Sequence, residues 1–517
     1  MASHIYPIPQ GESLAAGYSV LIDGKPAPLR QMRVSAAPIN RRWPGHQREI
    51  AQSELAGFVS FSMAGQAMIT VEADRDFERA VIRPLSKGVK LTRQGRRLSF
   101  ALTEPGGYTL ELDGHHHALH ILADPPEQDA VSPEDPNVLY FGPGIHERGV
   151  ITLTSNQTLY LDEGAVLYAT VEAKDVEHVR IMGRGILDNS HNKEEILFQV
   201  EPPPAEGGAL SGVVEDGDDI CMGKVGSFDV GNARRANTID IRDCRGLTIE
   251  GITIRDSLVY NIALLGCVDV HIDRVKIIGC WRYNSDGIDL HNCQRIHIEN
   301  CFIRTYDDAL CIKGNFGVVT PEGKDEKPVY SQDCRDYLAE NCVIWCDWGR
   351  CLEIGAETRV EEIDHIVFRN CDIIRACHIV MDVQNVDYAH VHDVLFEDIR
   401  VEYDGASRRP YLQVRDGEAY PERADDSYMP ELMCAIVYQH PEYSGGLNRR
   451  GRNRHIVFRN IDVTAPEMPP STFQGFDDEH DTRDILIENL RLNGKAVTTL
   501  EAARVKVMDF ARDIVIR

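Results

Sequence analysis

From about residue 15 to 122 the chain alternates apolar and polar positions in short runs separated by turn signals. Tyr18-Ser19-Val20-Leu21-Ile22 precedes Asp23-Gly24, and Phe58-Val59-Ser60-Phe61-Ser62, Val89-Lys90-Leu91-Thr92 and Tyr108-Thr109-Leu110-Glu111-Leu112 continue the pattern. Period-two alternation broken by Gly, Asp and Pro marks half-buried strands. About six to eight of them predict a β-sandwich over residues 1–122. His115, His116, His117 and His120 follow a strand and an Asp-Gly turn and read as an exposed loop rather than a metal site. Residues 123–136, rich in Pro, Asp and Glu, read as a linker.

From residue 137 one phrase keeps returning, in which apolar residues alternate on either side of an acidic or Asn turn. It runs CRGLTIEGITI from Cys244, CVDVHIDRVKI from Cys267, CQRIHIENCFI from Cys293, CRDYLAENCVI from Cys334 and IDHIVFRNCDI from Ile363. Further copies begin at Val391, Asn453 and Thr482, and weaker ones run from about Ile151. Most steps are 23 to 29 residues, with insertions near 315–332 and 405–452. Several short strands per repeat, without a long helical pattern, predict a parallel β-helix over residues 137–517. A leucine-rich solenoid is the structural alternative, and the leucine spacing does not fit it. The fold class is thus all-β, a parallel β-helix (solenoid) preceded by a β-sandwich.

Stacking the coils brings chemistry together. Asn284-Ser285-Asp286-Gly287 lies in one copy and Tyr306-Asp307-Asp308 in the next, and Asp286 and Asp307 are 21 residues apart. Aligning the inward residues Ile288/Leu290, Leu310/Ile312, Leu352/Ile354 and Ile379/Met381 predicts three outward columns. The first is Asp286, Asp308, Arg350 and Cys377; the second Asp289, Cys311, Glu353 and Val380; the third His291, Lys313, Gly355 and Asp382. Coils lie ~4.8 Å apart, so Asp286, Asp307 and Asp308 share one patch. Clustered carboxylates do not all ionise easily; one is driven towards its acid form and a neighbour stays a base. Asp residues capping turns are the plainer reading. Trp281, Tyr283, Tyr306, Trp345 and Trp348 flank the patch, either as sugar-stacking faces or as packing under the insertions.

Composition narrows the partners. A net charge of −26 disfavours nucleic acid and anionic membranes. Mean hydropathy of −0.29 and the lack of a long apolar run read as soluble. Met1-Ala2-Ser3-His4-Ile5-Tyr6-Pro7 has no basic region followed by an apolar stretch, and most of the 14 cysteines fall at buried repeat positions. These features predict a cytoplasmic protein, or a secreted one that has lost a leader. Cys334, Cys342, Cys346 and Cys351 lack a tight C-x-x-C pair, and neither metal nor cofactor is expected.

Asn284-Ser285-Asp286-Gly287, Asp307-Asp308 and Gly349-Arg350-Cys351 resemble the signature of glycoside hydrolase family 28, the polygalacturonases. That family reads Asn-Thr-Asp, Asp-Asp, Gly-His-Gly and Arg-Ile-Lys on a right-handed parallel β-helix. A sandwich before the helix is similar to the arrangement in family 49 dextranases. The resemblance implies a glycosidase with Asp307 as general acid and with Asp286 and Asp308 activating water, giving inversion. Substrate-binding roles are expected for Asn284, Lys313, Arg350, Glu353, Asp382, Trp281 and Trp348. The family's His falls on Arg350, and Arg-Ile-Lys falls on Val380-Met381-Asp382. One cation is replaced by an apolar residue and the other by an acid, so a neutral sugar at the cleaved position is expected. A polygalacturonase or rhamnogalacturonan-type pectin hydrolase, a polysaccharide lyase and a transglycosylase are the alternatives on the same fold. A carbohydrate is the expected partner; sugar, linkage, endo or exo action and oligomeric state are left open.

Overall fold

The computed structural model describes residues 3–41, 48–128, 131–191, 237–314, 331–413, 418–421, 428–439 and 449–517. Two sheets pack face to face at the N-terminal end. One contains Arg30–Ser35, Ser53–Ser62, Ala80–Arg83, Gly106–Leu112 and Leu119–Asp124; the other is built on Tyr18–Ile22, Ala67–Ala73 and Arg97–Leu102. The alternation causes the arrangement: Ala67, Ile69, Val71 and Ala73 are buried on one strand, while Met68 and Glu72 are exposed. Ile22, Phe61, Ile69, Phe100, Leu110 and Ile121 share the resulting core.

Residues 138–516 form one stack of 31 strands among the described residues, parallel from coil to coil. A coil has three strands. Ile288–His291, Gln294–Glu299 and Phe302–Thr305 make one, each paired in parallel with its counterpart in the coil before. The fold is a parallel β-helix, with the apolar residues of the repeated phrase in its interior. The acidic or Asn position of that phrase has a structural cause. Asn300, Asn341, Asn370, Asp398, Asn460 and Asn489 all adopt left-handed backbone, φ from 52 to 58°, at the corner before the third strand. Asn and Asp tolerate that conformation best among residues with a Cβ. Their side chains also bond up the stack, with Asn370 Nδ2 donating to Asn341 Oδ1 at 2.6 Å and Asn489 Nδ2 to Asn460 Oδ1 at 2.8 Å.

The sandwich lies along the sheet of third strands. Met32, Val34, Phe58 and Leu122 pack on Ile278, Phe302, Trp345 and Ile374. Lys276 Nζ donates to Asp124 at 2.7 and 2.9 Å, and Arg375 pairs with Glu111 at 2.7 Å. His115, His116 and His117 lie in the expected turn, the first two half-buried and His117 exposed, but this contact corrects the expectation for His120. His120 is fully buried on the strand Leu119–Asp124, bonded to Thr109 Oγ1 at 2.8 Å and accepting from Arg304 at 3.3 Å. Periodicity marks the inner face of a sheet but cannot reveal that its outer face is covered by another unit. Tyr411–Gln413, in the second insertion, pairs in parallel with Ile39–Arg41 of the N-terminal unit. The insertion near 315–332 falls almost wholly outside the described residues. The thirteen cysteines among the described residues are buried free thiols. No helix among the described residues is long and apolar enough to cross a membrane.

Candidate functional site

The first-strand sheet runs Ile288–His291, Leu310–Gly314, Arg350–Thr358 and Ile379–Asn385. Its entry corners carry the acidic motifs. Gly287 N donates to Asp308 O at 2.7 Å and Ala309 N to Arg350 O at 2.8 Å, which stacks Asp286, Asp308 and Arg350 in one column, as expected. Asp289, Cys311 and Glu353 form the second column.

The register of the next coil differs from the expected one. Leu352 pairs with Met381 and Glu353 with Asp382, so Asp382 joins the second column and does not stand beside Gly355. The strand Arg350–Thr358 bulges: Ile312 faces Ile354, but Gly314 faces Thr358. Ile379, Met381 and Val383 are all buried, so an apolar pattern cannot choose between registers two residues apart. The outward positions on either side of Val383 are Asp382 and Gln384.

Six carboxyl groups and two cations meet here. Asp286, Asp289, Asp307, Asp308, Glu353, Asp382 and Lys313 are buried, and Arg350 is nearly so. Lys313 Nζ is 2.7 Å from Asp289 Oδ1 and 3.5 Å from Asp286 Oδ2. Arg350 Nε is 3.3 Å from Asp382 Oδ2 and 3.8 Å from Glu353 Oε1, and its Nη1 is 3.9 Å from Asp308 Oδ1. The backbone amide of Arg350 donates to the same Asp308 oxygen at 2.9 Å. Cys311 Sγ donates to Glu353 Oε2 at 3.1 Å. A Cβ at Gly349 would sit 2.5 Å from Asp308 Oδ1 and 2.6 Å from Asp307 Oδ1, so bare backbone packs on both carboxylates.

These surroundings push the carboxyl groups apart in acidity. Burial, then the Asp308 charge, raises Asp307 to about 7, against Arg350 and Lys313. Burial also acts on Asp308, but Arg350, Lys313 and hydrogen bonds from Glu353 and the Arg350 amide outweigh it and hold Asp308 below the ordinary range. Asp286 is driven well above its ordinary value by burial and by Asp289 and Asp307. Burial raises Asp289 to about 6, with Lys313 opposing. Glu353 is raised well above its usual value by burial and by Asp308, so a proton on it bonds to the Asp308 carboxylate.

The site thus brings together Asp286, Asp307, Asp308, Lys313, Arg350, Glu353 and Asp382. Asn284 is half-buried in left-handed backbone, φ 49°, at the turn before Asp286. Trp281 and Trp348 are corrections to the expected stacking faces. Trp281 is buried, its Nε1 donates to Asp256 Oδ1 at 2.9 Å, and Arg33 of the sandwich lies 5.9 Å from its ring. Trp348 is buried and stacks on Tyr306 with centroids 5.8 Å apart. The N-terminal unit covers this corner, which the sequence of the repeats does not reveal. Asp289, placed in the second column by sequence, and Gly349, part of the Gly349-Arg350-Cys351 motif, were given no role in the site; the repeated spacing of the columns is the signal that would have included Asp289.

Among the described residues, three groups of side chains could hold a metal ion, with ligand atoms within 4.8 Å of one another: Asp308, Cys311 and Glu353; His271, His297 and Glu299; and Glu362, His390 and His392. In the first, the Cys311 thiol is engaged by Glu353, and Arg350 and Lys313 already neutralise the acids, which suits protons better than a dication.

Residues 211–324 match the model of glycosyl hydrolases family 28. The chain is 26% identical over 206 residues to a probable polygalacturonase of Vitis vinifera, covering 37% of this chain and 40% of that protein. It is 28% identical over 120 residues to a probable polygalacturonase of Arabidopsis thaliana, covering 23% and 26%. The matches thus span less than half of either relative. Dex49A from Penicillium minioluteum has the same fold, with a TM-score of 0.54 at 11% identity over 98% of this chain and 96% of that one. The expected cytoplasmic location does not stand: the matched relatives are plant polygalacturonases, and that kinship gives it no support. The resemblance read from the acidic motifs is borne out, and the chain carries a family 28 segment on a parallel β-helix whose relatives are glycoside hydrolases.

Proposed function

We propose that the chain is an inverting glycoside hydrolase acting on a carbohydrate with a neutral sugar at the cleaved position. The carrying observation is the opposite acidity of two adjacent carboxyls, Asp307 raised to about 7 and Asp308 held low. Groups whose surroundings push them apart divide into acid and base. Asp307 gives its proton to the glycosidic oxygen as the bond from the anomeric carbon to that oxygen breaks. Water attacks the anomeric carbon from the opposite face and loses its proton to Asp308. Asp286, biased towards its protonated form, orients that water by hydrogen bonding instead of sharing the base role.

Charge favours the neutral sugar. Six carboxyls face two cations, and both cations already lie against acids: Lys313 on Asp289 and Asp286, Arg350 on Asp382, Glu353 and Asp308. A uronate would enter a field of its own sign. The names of the relatives favour the second reading, a galacturonate substrate.

Hydrolysis of a panel of neutral and uronic oligosaccharides, with the first-formed anomer read by NMR, tests both. Inverted product from a neutral substrate, abolished in a folded Asp307→Asn, is expected. Turnover of uronates alone, retention of configuration, or full activity in Asp307→Asn overturns the reading.

A further inference from the structure

We infer that the N-terminal sandwich is part of the active site, and that Arg48 is a positioning residue that holds and polarises the Tyr306-Asp307 corner. The inference rests on the reading of Asp307 as general acid. The corner is fixed by its own coils on the backbone side: Thr305 Oγ1 donates to Asp307 O at 2.5 Å, and Gly349 N donates to Tyr306 O at 3.2 Å. The Tyr306 side chain is fixed by a different part of the chain. Its hydroxyl donates to Ile39 O at 2.8 Å, and the Arg48 guanidinium lies 3.8 Å from its ring centroid. Trp348 stacks on the same ring, so Tyr306 is clamped from both units.

Arg48 is 3% exposed. It donates to Ser35 Oγ at 3.0 Å, to Trp281 O at 2.7 Å, to Ala37 O at 2.9 Å and to Gln52 O at 3.4 Å. None of these acceptors is charged. A buried guanidinium hydrogen-bonded to neutral groups keeps its field for more distant anions. Behind the Tyr306 ring on which it lies, Asp347 and then Asp307 are the carboxylates that feel it. Arg48 also ties two units together, because Trp281 belongs to the helix and Ser35, Ala37 and Gln52 to the sandwich. A sandwich that only shielded the third-strand sheet would meet that need with its apolar contact alone; here it also delivers a cation to the residue next to the acid.

The test compares Arg48→Met and Arg48→Lys with the parent enzyme in kcat, KM and the pH profile of kcat/KM, with thermal melts as a folding check. Removing the positive charge favours the protonated form of Asp307, so the basic limb of Arg48→Met moves to higher pH. kcat falls about tenfold or more while KM changes less than about twofold, because Arg48 does not touch substrate. Arg48→Lys restores the limb. Tyr306→Phe, which removes only the tie to Ile39 O, lowers kcat with the limb unmoved. A folded Arg48→Met with an unmoved basic limb, or with a loss confined to KM, overturns the inference. An active Asp307→Asn overturns the reading beneath it instead. If Arg48→Met does not fold, the same comparison between Arg48→Lys and Tyr306→Phe decides, and identical profiles for both and the parent overturn the role.

Discussion

Arg350 Nε lies 3.3 Å from Asp382 Oδ2, one coil away. The guanidinium of the first column is therefore held by an acid of the second column in the next coil. Asp382 and Glu353 turn the guanidinium into an internal counter-ion for the acidic cluster. Asp382→Asn keeps the hydrogen-bonding shape and removes one charge. The kcat/KM ratio for a uronate-terminated over a neutral oligosaccharide is expected to rise about fivefold to tenfold. An unchanged ratio would show that Asp382 does not discriminate by charge.

The acid and base predict a bell-shaped pH dependence of kcat/KM. Asp307 works protonated and is raised to about 7, by burial first, so activity is lost as pH rises through about 7. Asp308 works ionised and sits below the ordinary carboxylate range, so the acid limb falls at low pH. Arg350 is the largest influence holding Asp308 down against burial, so the acid limb of Arg350→Met shifts upward while the basic limb moves less. Activity that stays flat to pH 9 would remove Asp307 from the role of acid.

Gly349 has room for no side chain. A methyl group there meets Asp308 Oδ1 at 2.5 Å, and Asp307 Oδ1 and Asp308 N at 2.6 Å. Gly349→Ala displaces both carboxylates together. Overpacking of this kind costs about 1–3 kcal/mol of stability, and misplacement by ~1 Å costs about a hundredfold in rate. Steady-state kinetics beside a thermal melt separates the two effects. Near-parental kcat in Gly349→Ala would mean that the tight packing has no bearing on catalysis.

Much of this was legible in the sequence, and particular residues explain where it stopped. The coil phrase is visible because each corner needs a left-handed residue, and Asn300, Asn341 and Asn370 supply it at a fixed offset. Asp286 and Asp308 align because the strands beginning at Ile288 and Leu310 pair without a bulge. The register was lost one coil further on, where Leu352 pairs with Met381 and Ile379, Met381 and Val383 offer two equally apolar alignments. Arg48, 233 residues from its acceptor Trp281, carries no local signal at all, since nothing in a repeat pattern encodes which side of a solenoid another unit covers.

The raised carboxyls also predict how stability responds to pH. Asp289 and Asp387 are raised to about 6, and Asp307 and Glu402 to about 7, in each case by burial first. In the unfolded chain these groups titrate near 4, so between about pH 4 and 7 the folded protein binds more protons than the unfolded one. Their contribution is fully present below the unfolded value and is lost as pH rises through the folded one. Asp404, lowered to about 2 despite burial because Arg375 outweighs it, acts oppositely and only at lower pH. Thermal melts should therefore shift down from pH 5 to pH 8. Asp307 has no cation within ion-pair distance in the site described, so Asp307→Asn removes an acid that is forced to ionise while buried. The variant should gain on the parent from pH 5 to pH 8, the difference widening by on the order of 1–3 °C, while losing turnover. Equal melting temperatures at both pH values would mean that Asp307 does not carry the raised acidity on which its role as proton donor rests.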